Sequence, residues 1–116
     1  MLLAVPTYHD RVAPAFDFCH RVTFWRLDGK GFKKIANRKC LAVGTEEKAA
    51  NLQAMGTEVL LCGAISTTLE QSLNARGIKV LCGFAGEVVE VVAALASGAL
   101  DDPRFQLPGA NSKQPA

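Results

Sequence analysis

Two pentapeptides twenty residues apart, Val59-Leu60-Leu61-Cys62-Gly63 and Lys79-Val80-Leu81-Cys82-Gly83, constrain the fold of this chain more than any other feature. Each is a short aliphatic run leaving through Cys-Gly, which reads as a buried strand with a tight exit. Between them lies a helical stretch that begins near Ser66, where Thr67 and Glu70 have capping-box spacing, and closes at Gly77. Strands joined by one helical crossover run parallel and are usually neighbours, so both cysteines should reach the same, C-terminal edge of one sheet. Open α/β sheets bind ligands at that edge.

Upstream, Leu2 to Val5 is an aliphatic run stopped by Pro6, which predicts a first strand followed by a long loop over Tyr8 to Phe16. The aromatic and β-branched content of Phe18 to Leu27 favours a second strand. After the turn Asp28-Gly29-Lys30-Gly31, Phe32 to Leu41 returns as a third, and Arg26, Lys33, Lys34, Arg38 and Lys39 give the hairpin a basic face. That face is either a solvated edge that discourages strand pairing or a surface that attracts an anionic ligand or acidic partner. From residue 45 helix and strand alternate. Thr45 is expected to cap a helix with Glu46 and Glu47 in its first turn, Ala49, Leu52 and Met55 along one face, and Gly56 at its end. Val88, Val91, Val92 and Leu95 line one face of a third helix ending at Gly98.

A chain of 116 residues suits a single domain, assigned to residues 1–108, with residues 109–116 expected as a disordered tail. With 21% charged residues and a net charge of +2, it lacks the basic footprint of a nucleic-acid binder. Met1 to Pro6 has neither the length nor the basic residues of a signal segment, and the longest uncharged stretch, Val59 to Leu69, is too short to span a bilayer. These features predict a cytoplasmic protein without membrane or nucleic-acid partners, whose Cys19, Cys40, Cys62 and Cys82 stay reduced. The cysteines show no zinc-type spacing. Walker A, G-x-G-x-x-G, G-x-S-x-G and H-E-x-x-H motifs are all absent from the sequence, so no catalytic role is expected.

The candidate binding residues are therefore those expected at the sheet edge: Thr7, Tyr8, His9 and Asp10 after the first strand, Cys62-Gly63-Ala64-Ile65-Ser66, and Cys82-Gly83-Phe84-Ala85-Gly86. Helix N-termini behind glycine turns present N–H groups and a positive dipole end to an anion. Thiolates are soft ligands for copper(I), zinc and iron–sulfur species. Cys62 and Cys82 are thus candidate metal ligands, and Cys19 and Cys40 weaker ones, while each could equally be a small buried residue behind a turn. His9 reads either as a surface side chain or as a ligand, and His20, in a strand pattern, as structural.

Ala4-Val5-Pro6, Val12, Phe16-Asp17, Val59 to Ser66, Leu69, Gly77-Ile78-Lys79-Val80, Gly83, Gly86, Val88-Val89 and Ser97-Gly98 together resemble the dinitrogenase iron–molybdenum cofactor biosynthesis family over residues 2–108. The resemblance implies a ribonuclease H-like three-layer α/β fold, with three helices and a five-stranded mixed sheet whose second strand is antiparallel to the rest. It implies a carrier or accessory role: members hold iron–molybdenum cofactor or its precursors, and the related orange protein holds a molybdenum–copper sulfide cluster. A small domain without an added N-terminal region is more similar to the orange-protein branch. The implied partners are the cluster anion and proteins that deliver or receive it, with the chain a monomer or weak homodimer. Two alternatives remain. One is a metal-free protein-interaction module using the same surface. The other, a ribonuclease H-like nuclease, is disfavoured because Leu2 to Val5 offers no carboxylate for metal-dependent phosphodiester chemistry.

Overall fold

The computed structural model describes residues 1–18, 21–29, 31–40, 44–101 and 103–106. Strands β1 (Leu2–Tyr8), β2 (Arg11–Val12), β3 (Arg21–Asp28) and β4 (Gly31–Lys39) precede an alternating run of α1 (Thr45–Ala54), β5 (Val59–Leu61), α2 (Thr67–Ala75), β6 (Lys79–Leu81) and α3 (Val88–Ser97). One mixed sheet has the order β4-β3-β1-β5-β6, with β2 paired to β1 beside that path. The pairs β1–β5 and β5–β6 are parallel, whereas β3 is antiparallel to both β1 and β4. The sheet thus has six strands where the sequence predicts five. Apart from the two-residue β2, the second strand in chain order, β3, is the one that runs against the others.

The additional strand comes from the segment predicted as a long loop. Arg11 and Val12 fold back on Tyr8 and Thr7 around a two-residue turn, His9-Asp10. Two residues are too few to show a strand period, which explains why the sequence hides them. Nor does β1 stop at Pro6. Its β5 ladder ends at Ala4–Leu60 and its β2 ladder begins at Thr7–Val12, so Pro6 occupies the gap and its missing N–H removes no ladder bond. Strand β3 starts at Arg21 rather than Phe18, and Phe16–Phe18 forms a 3-10 turn. Cys19, His20, Leu41 and the tail 109–116 lie outside the described residues.

Alternation along β5 builds the two faces of the sheet. Leu60 and Cys62 join one core with Ala4, Phe24, Ala49, Leu52, Leu69 and Leu73, so α1 and α2 cover this first face. Val59 and Leu61 join the other with Leu3, Val5, Trp25, Val88, Val91 and Val92, so α3 covers the second. Leu69 and Leu73 are completely buried, each stabilising the fold by about 1.5–3 kcal/mol relative to exposure.

Two capping expectations are corrected. Helix α1 has Gly44, not Thr45, at its N-cap and no side-chain cap, and Met55, predicted on its apolar face, is the exposed C-cap residue. For α2 the N-cap is Ser66, whose Oγ accepts from the Leu69 N–H at 3.3 Å. A capping box would therefore need its acid at position 69, and Glu70 falls one residue too late. Gly56, Gly77 and Gly98 close the three helices with positive φ, the conformation that alanine or larger residues resist.

Candidate ligand-binding edge of the sheet

The C-terminal ends of β1, β5 and β6 converge as predicted, and backbone bonds sew their loops together. The Ala64 N–H donates to Pro14 at 2.8 Å, Val12 to Gly86 at 2.9 Å and Val88 to Asp10 at 2.9 Å. Cys62 and Cys82 follow the paired residues Leu61 and Leu81, and the Cys62 N–H donates to the Leu81 carbonyl at 2.9 Å. The two cysteine backbones are thus cross-strand neighbours, roughly 4.8 Å apart.

Their side chains do not share an open site. Cys62 is 0% exposed within the first-face core, whereas Cys82 is exposed at the end of β6. Among the described residues no group of three or more His, Cys, Asp or Glu could hold a metal ion. Cys40 is half-buried at the end of β4 and borders a separate first-face cavity of about 420 Å³, together with Phe24, Lys48 and Leu52. No sequence signal marks that cavity, because it depends on how far β4 and α1 stand apart.

Of the other predicted residues only Thr7, His9 and Asp10 line a cleft, one of about 260 Å³ on the second face, and the Gly63–Ser66 and Gly83–Gly86 turns stay outside it. Thr7, His9 and Asp10 line one side, Lys34 and Asn37 of β4 another, and Glu87 with Val88 the start of α3. Its floor is a closed polar network. Thr7 Oγ1 donates to the Val5 carbonyl at 2.9 Å and lies 3.1 Å from Thr23 Oγ1, which accepts from Trp25 Nε1 at 3.0 Å. His9 has φ 55°, sparsely populated for a residue with a side chain, and its ring meets Tyr8 edge-on at 4.4 Å. Tyr8 itself is 62% exposed. By strand alternation this cleft and the Cys62 side chain lie on opposite faces of the sheet, a separation no linear motif could reveal. Lys34, Asn37, Thr23 and Trp25, along with Glu87, Val88 and Val89 at the start of α3, were missing from the predicted site. For the β3 and β4 residues the signal was the alternate spacing of Thr23 and Trp25, with Asn37 and Lys34 directly opposite in register.

The anion-binding turns are largely filled by the protein itself. Asp17 accepts from the Ser66 N–H at 2.9 Å and the Ser66 hydroxyl at 2.8 Å, placing a carboxylate at the N-terminus of α2 where the sequence suggested an external anion. Gly63 is wedged against the chain: a Cβ there would stand 2.7 Å from the carbonyl oxygens of both Ala13 and Pro14. In the third turn, Gly83 donates to Gly63, Phe84 to Cys62 and Ala85 to Phe105. Any anion held by N–H groups at Ser66 would have to displace Asp17. The cleft beside His9 and Lys34 needs no such displacement.

An open, mixed α/β sheet with helices on both faces and a cleft at the parallel strand ends is the architecture these observations define. The chain belongs to the dinitrogenase iron–molybdenum cofactor family, whose model matches residues 1–98. No curated protein shows significant similarity to it. Among solved structures, PH0822 superposes with a TM-score of 0.79 at 21% identity, over 84% of this chain and 92% of that one. A Methanocaldococcus jannaschii protein described as a candidate dinitrogenase gives 0.67 at 15% identity, over 85% and 90%. A Thermotoga protein described as a candidate NifB protein gives 0.64 at 19%, over 99% and 98%. At these identities the likeness is one of fold.

Proposed function

We propose that this protein is a small cytoplasmic carrier or accessory protein, not an enzyme, that binds an anionic metal–sulfur cluster as cargo at the C-terminal edge of its sheet. The cargo would be of the molybdenum–copper sulfide or iron–molybdenum type, and the sheet order is read as a ribonuclease H-like variant. Family membership supports this cargo class. The observation that carries the reading is the second-face cleft, where His9 lines one side and Lys34 with Asn37 another, above a polar floor. An imidazole, an ammonium and an amide together offer N–H donors and positive charge to bridging sulfides, while Asp10 and Glu87 line the same cleft and restrict where a multiply charged anion can sit. Cys82, exposed on the first face, is the accessible thiol at this edge among the described residues. Cys62 could serve as a ligand only if the core opened.

Reconstitution with tetrathiomolybdate and copper(I), read as bound metal per chain and as visible charge-transfer absorption, tests the reading. His9→Ala and Lys34→Ala should each lower loading, and Cys82→Ser should leave it close to stoichiometric. For Cys62 the informative change is to alanine, since serine would bury a hydroxyl in the core. Loss of all metal in Cys82→Ser, with His9→Ala unaffected, would shift the site to thiolate ligation on the first face. Failure of the unaltered chain to take up any cluster would favour the metal-free interaction module, which the internally satisfied turns also suit.

A further inference from the structure

We infer that the outer edge of β4 is a docking strand for an acidic, extended segment of a partner protein, an inference that rests on the cargo site proposed above. Seven of the chain's thirteen basic residues, but only one of its eleven acids, fall between residues 21 and 39. The net charge of +2 therefore hides a basic hairpin set against an acidic remainder, a polarity that steers oppositely charged partners. On β4, Lys33, Lys34, Arg38 and Lys39 all stand exposed.

The backbone of β4 is as distinctive as its charge. It is a nine-residue strand at one end of the sheet, and among the described residues only β3 pairs with it. Its other edge leaves a row of N–H and C=O groups open, without the proline or shortness that usually blunts such an edge. A register shift opposite Phe24 and Trp25 leaves Ile35 without a β3 partner, and it stands 44% exposed, with Phe32 on the same strand 37% exposed. Two pairs of cations, Lys33-Lys34 and Arg38-Lys39, thus flank the apolar Ile35 and Ala36 along an open hydrogen-bonding edge.

A second copy of this strand is a poor occupant, because lysines would meet lysines across the new ladder. A nucleic acid is also less suited: single strands want free aromatic platforms, and Phe32 already packs against Trp25 at 6.0 Å. An amphipathic acidic strand satisfies the charges, the apolar side chains and the open backbone groups together. Lys34 and Asn37 of β4 also line the His9 cleft, so a segment docked here would lie beside the mouth of the cargo site. This places the partner where a cluster is handed over.

The test uses the full metal-free chain and a fluorescein-labelled peptide of alternating glutamate and valine long enough to span β4. Polyglutamate and an oligothymidylate of equal charge serve as competitors. At low salt the alternating peptide should bind more tightly than either competitor, and amide exchange should slow along residues 32–38. The double variant Lys33→Glu, Arg38→Glu, whose side chains lie outside the His9 cleft, should bind it at least about fivefold more weakly. Tighter binding of the oligothymidylate, equal binding of polyglutamate without β4 protection, or no peptide binding at low salt would each overturn the inference. Cluster loading of the same double variant keeps the two readings apart. In the variant, loading should persist while peptide binding falls; an unaltered chain that takes up metal but no peptide sinks the docking strand alone, and an unaltered chain that binds peptide but no metal sinks the cargo site alone.

Discussion

Replacing Gly63 by alanine should destabilise this domain by about 2–4 kcal/mol. The new Cβ would lie 2.7 Å from two backbone oxygens, those of Ala13 and Pro14, and 3.1 Å from the Pro14 carbonyl carbon. Flexible side chains could swing aside at little cost, but these neighbours are backbone. The Pro14 oxygen is also held by the Ala64 N–H at 2.8 Å, and the Phe16 N–H in turn holds Ala64 at 2.9 Å. Relief requires residues 13–14 to retreat from the exit of β5. Overpacking of this kind costs about 1–3 kcal/mol, and each loosened hydrogen bond adds about 1 kcal/mol. One term opposes the loss. Gly63 lies outside the positive-φ region, so alanine would fit its backbone and restrict the unfolded chain, stabilising the fold by about 0.4–1 kcal/mol. The steric term is larger, so the sign is destabilising, and the melting temperature should fall by roughly 10 °C. Urea and thermal unfolding of Gly63→Ala would measure it, with Gly29→Ala, which meets nothing within 4 Å, as a control expected within about 0.5 kcal/mol of the parent. A Gly63→Ala protein as stable as that control would refute the claim that the Ala13-Pro14 segment is wedged against this glycine.

Asp17→Ala should lower stability by about 1–2 kcal/mol in urea unfolding, because it strips the α2 N-terminus of a carboxylate bonded to both the Ser66 N–H and hydroxyl; Asp17→Asn, which keeps one acceptor, should lose roughly half as much. Glu46 is held below its ordinary 4.5 by the hydrogen bond from Ser72 first, then by the hydrogen bond from Arg76 and its charge. Because its folded-state pKa is depressed, its stabilising contribution is fully present above 4.5 and fades as pH falls through the lower folded value. Melting temperatures of the parent and Glu46→Gln should therefore converge on acidification, and a gap that stays constant below pH 4.5 would show that this carboxylate does not link α1 to α2 through its charge.

Much of the fold was legible because local chemistry and tertiary placement agree. The Val59 segment announces a parallel strand, since residues buried on both faces of a sheet read as continuous apolar runs; the Lys79 segment is parallel too, but it is not the buried strand expected, because β6 ends the sheet with Lys79 exposed and Val80 and Leu81 half-buried. The three glycines closing the helices were recognisable because each helix end needs a left-handed residue. The misread caps have a shared cause: Thr45 and the Thr67–Glu70 pair have the right chemistry, but the chain enters each helix one residue earlier than that chemistry suggests. The β1–β2 hairpin stayed hidden because a bond across its own loop, Ala13 to Pro6, and a long-range one, Val12 to Gly86, hold a strand too short to declare itself.

For the site, sequence alone determined which loops would meet, because strand direction and helical crossovers leave one edge for the ends of β1, β5 and β6. Only the tertiary structure decided what those loops can offer. Strand alternation sends Cys62 into the first-face core and Thr7 to the second-face cleft, and the register of β3 against β4 carries Lys34 and Asn37 to that cleft. Asp17, forty-nine residues before Ser66, occupies the helix terminus that looked open to an anion. Burial and hydrogen-bond occupancy are properties of neighbours distant along the chain, and a linear sequence specifies such neighbours only through the fold.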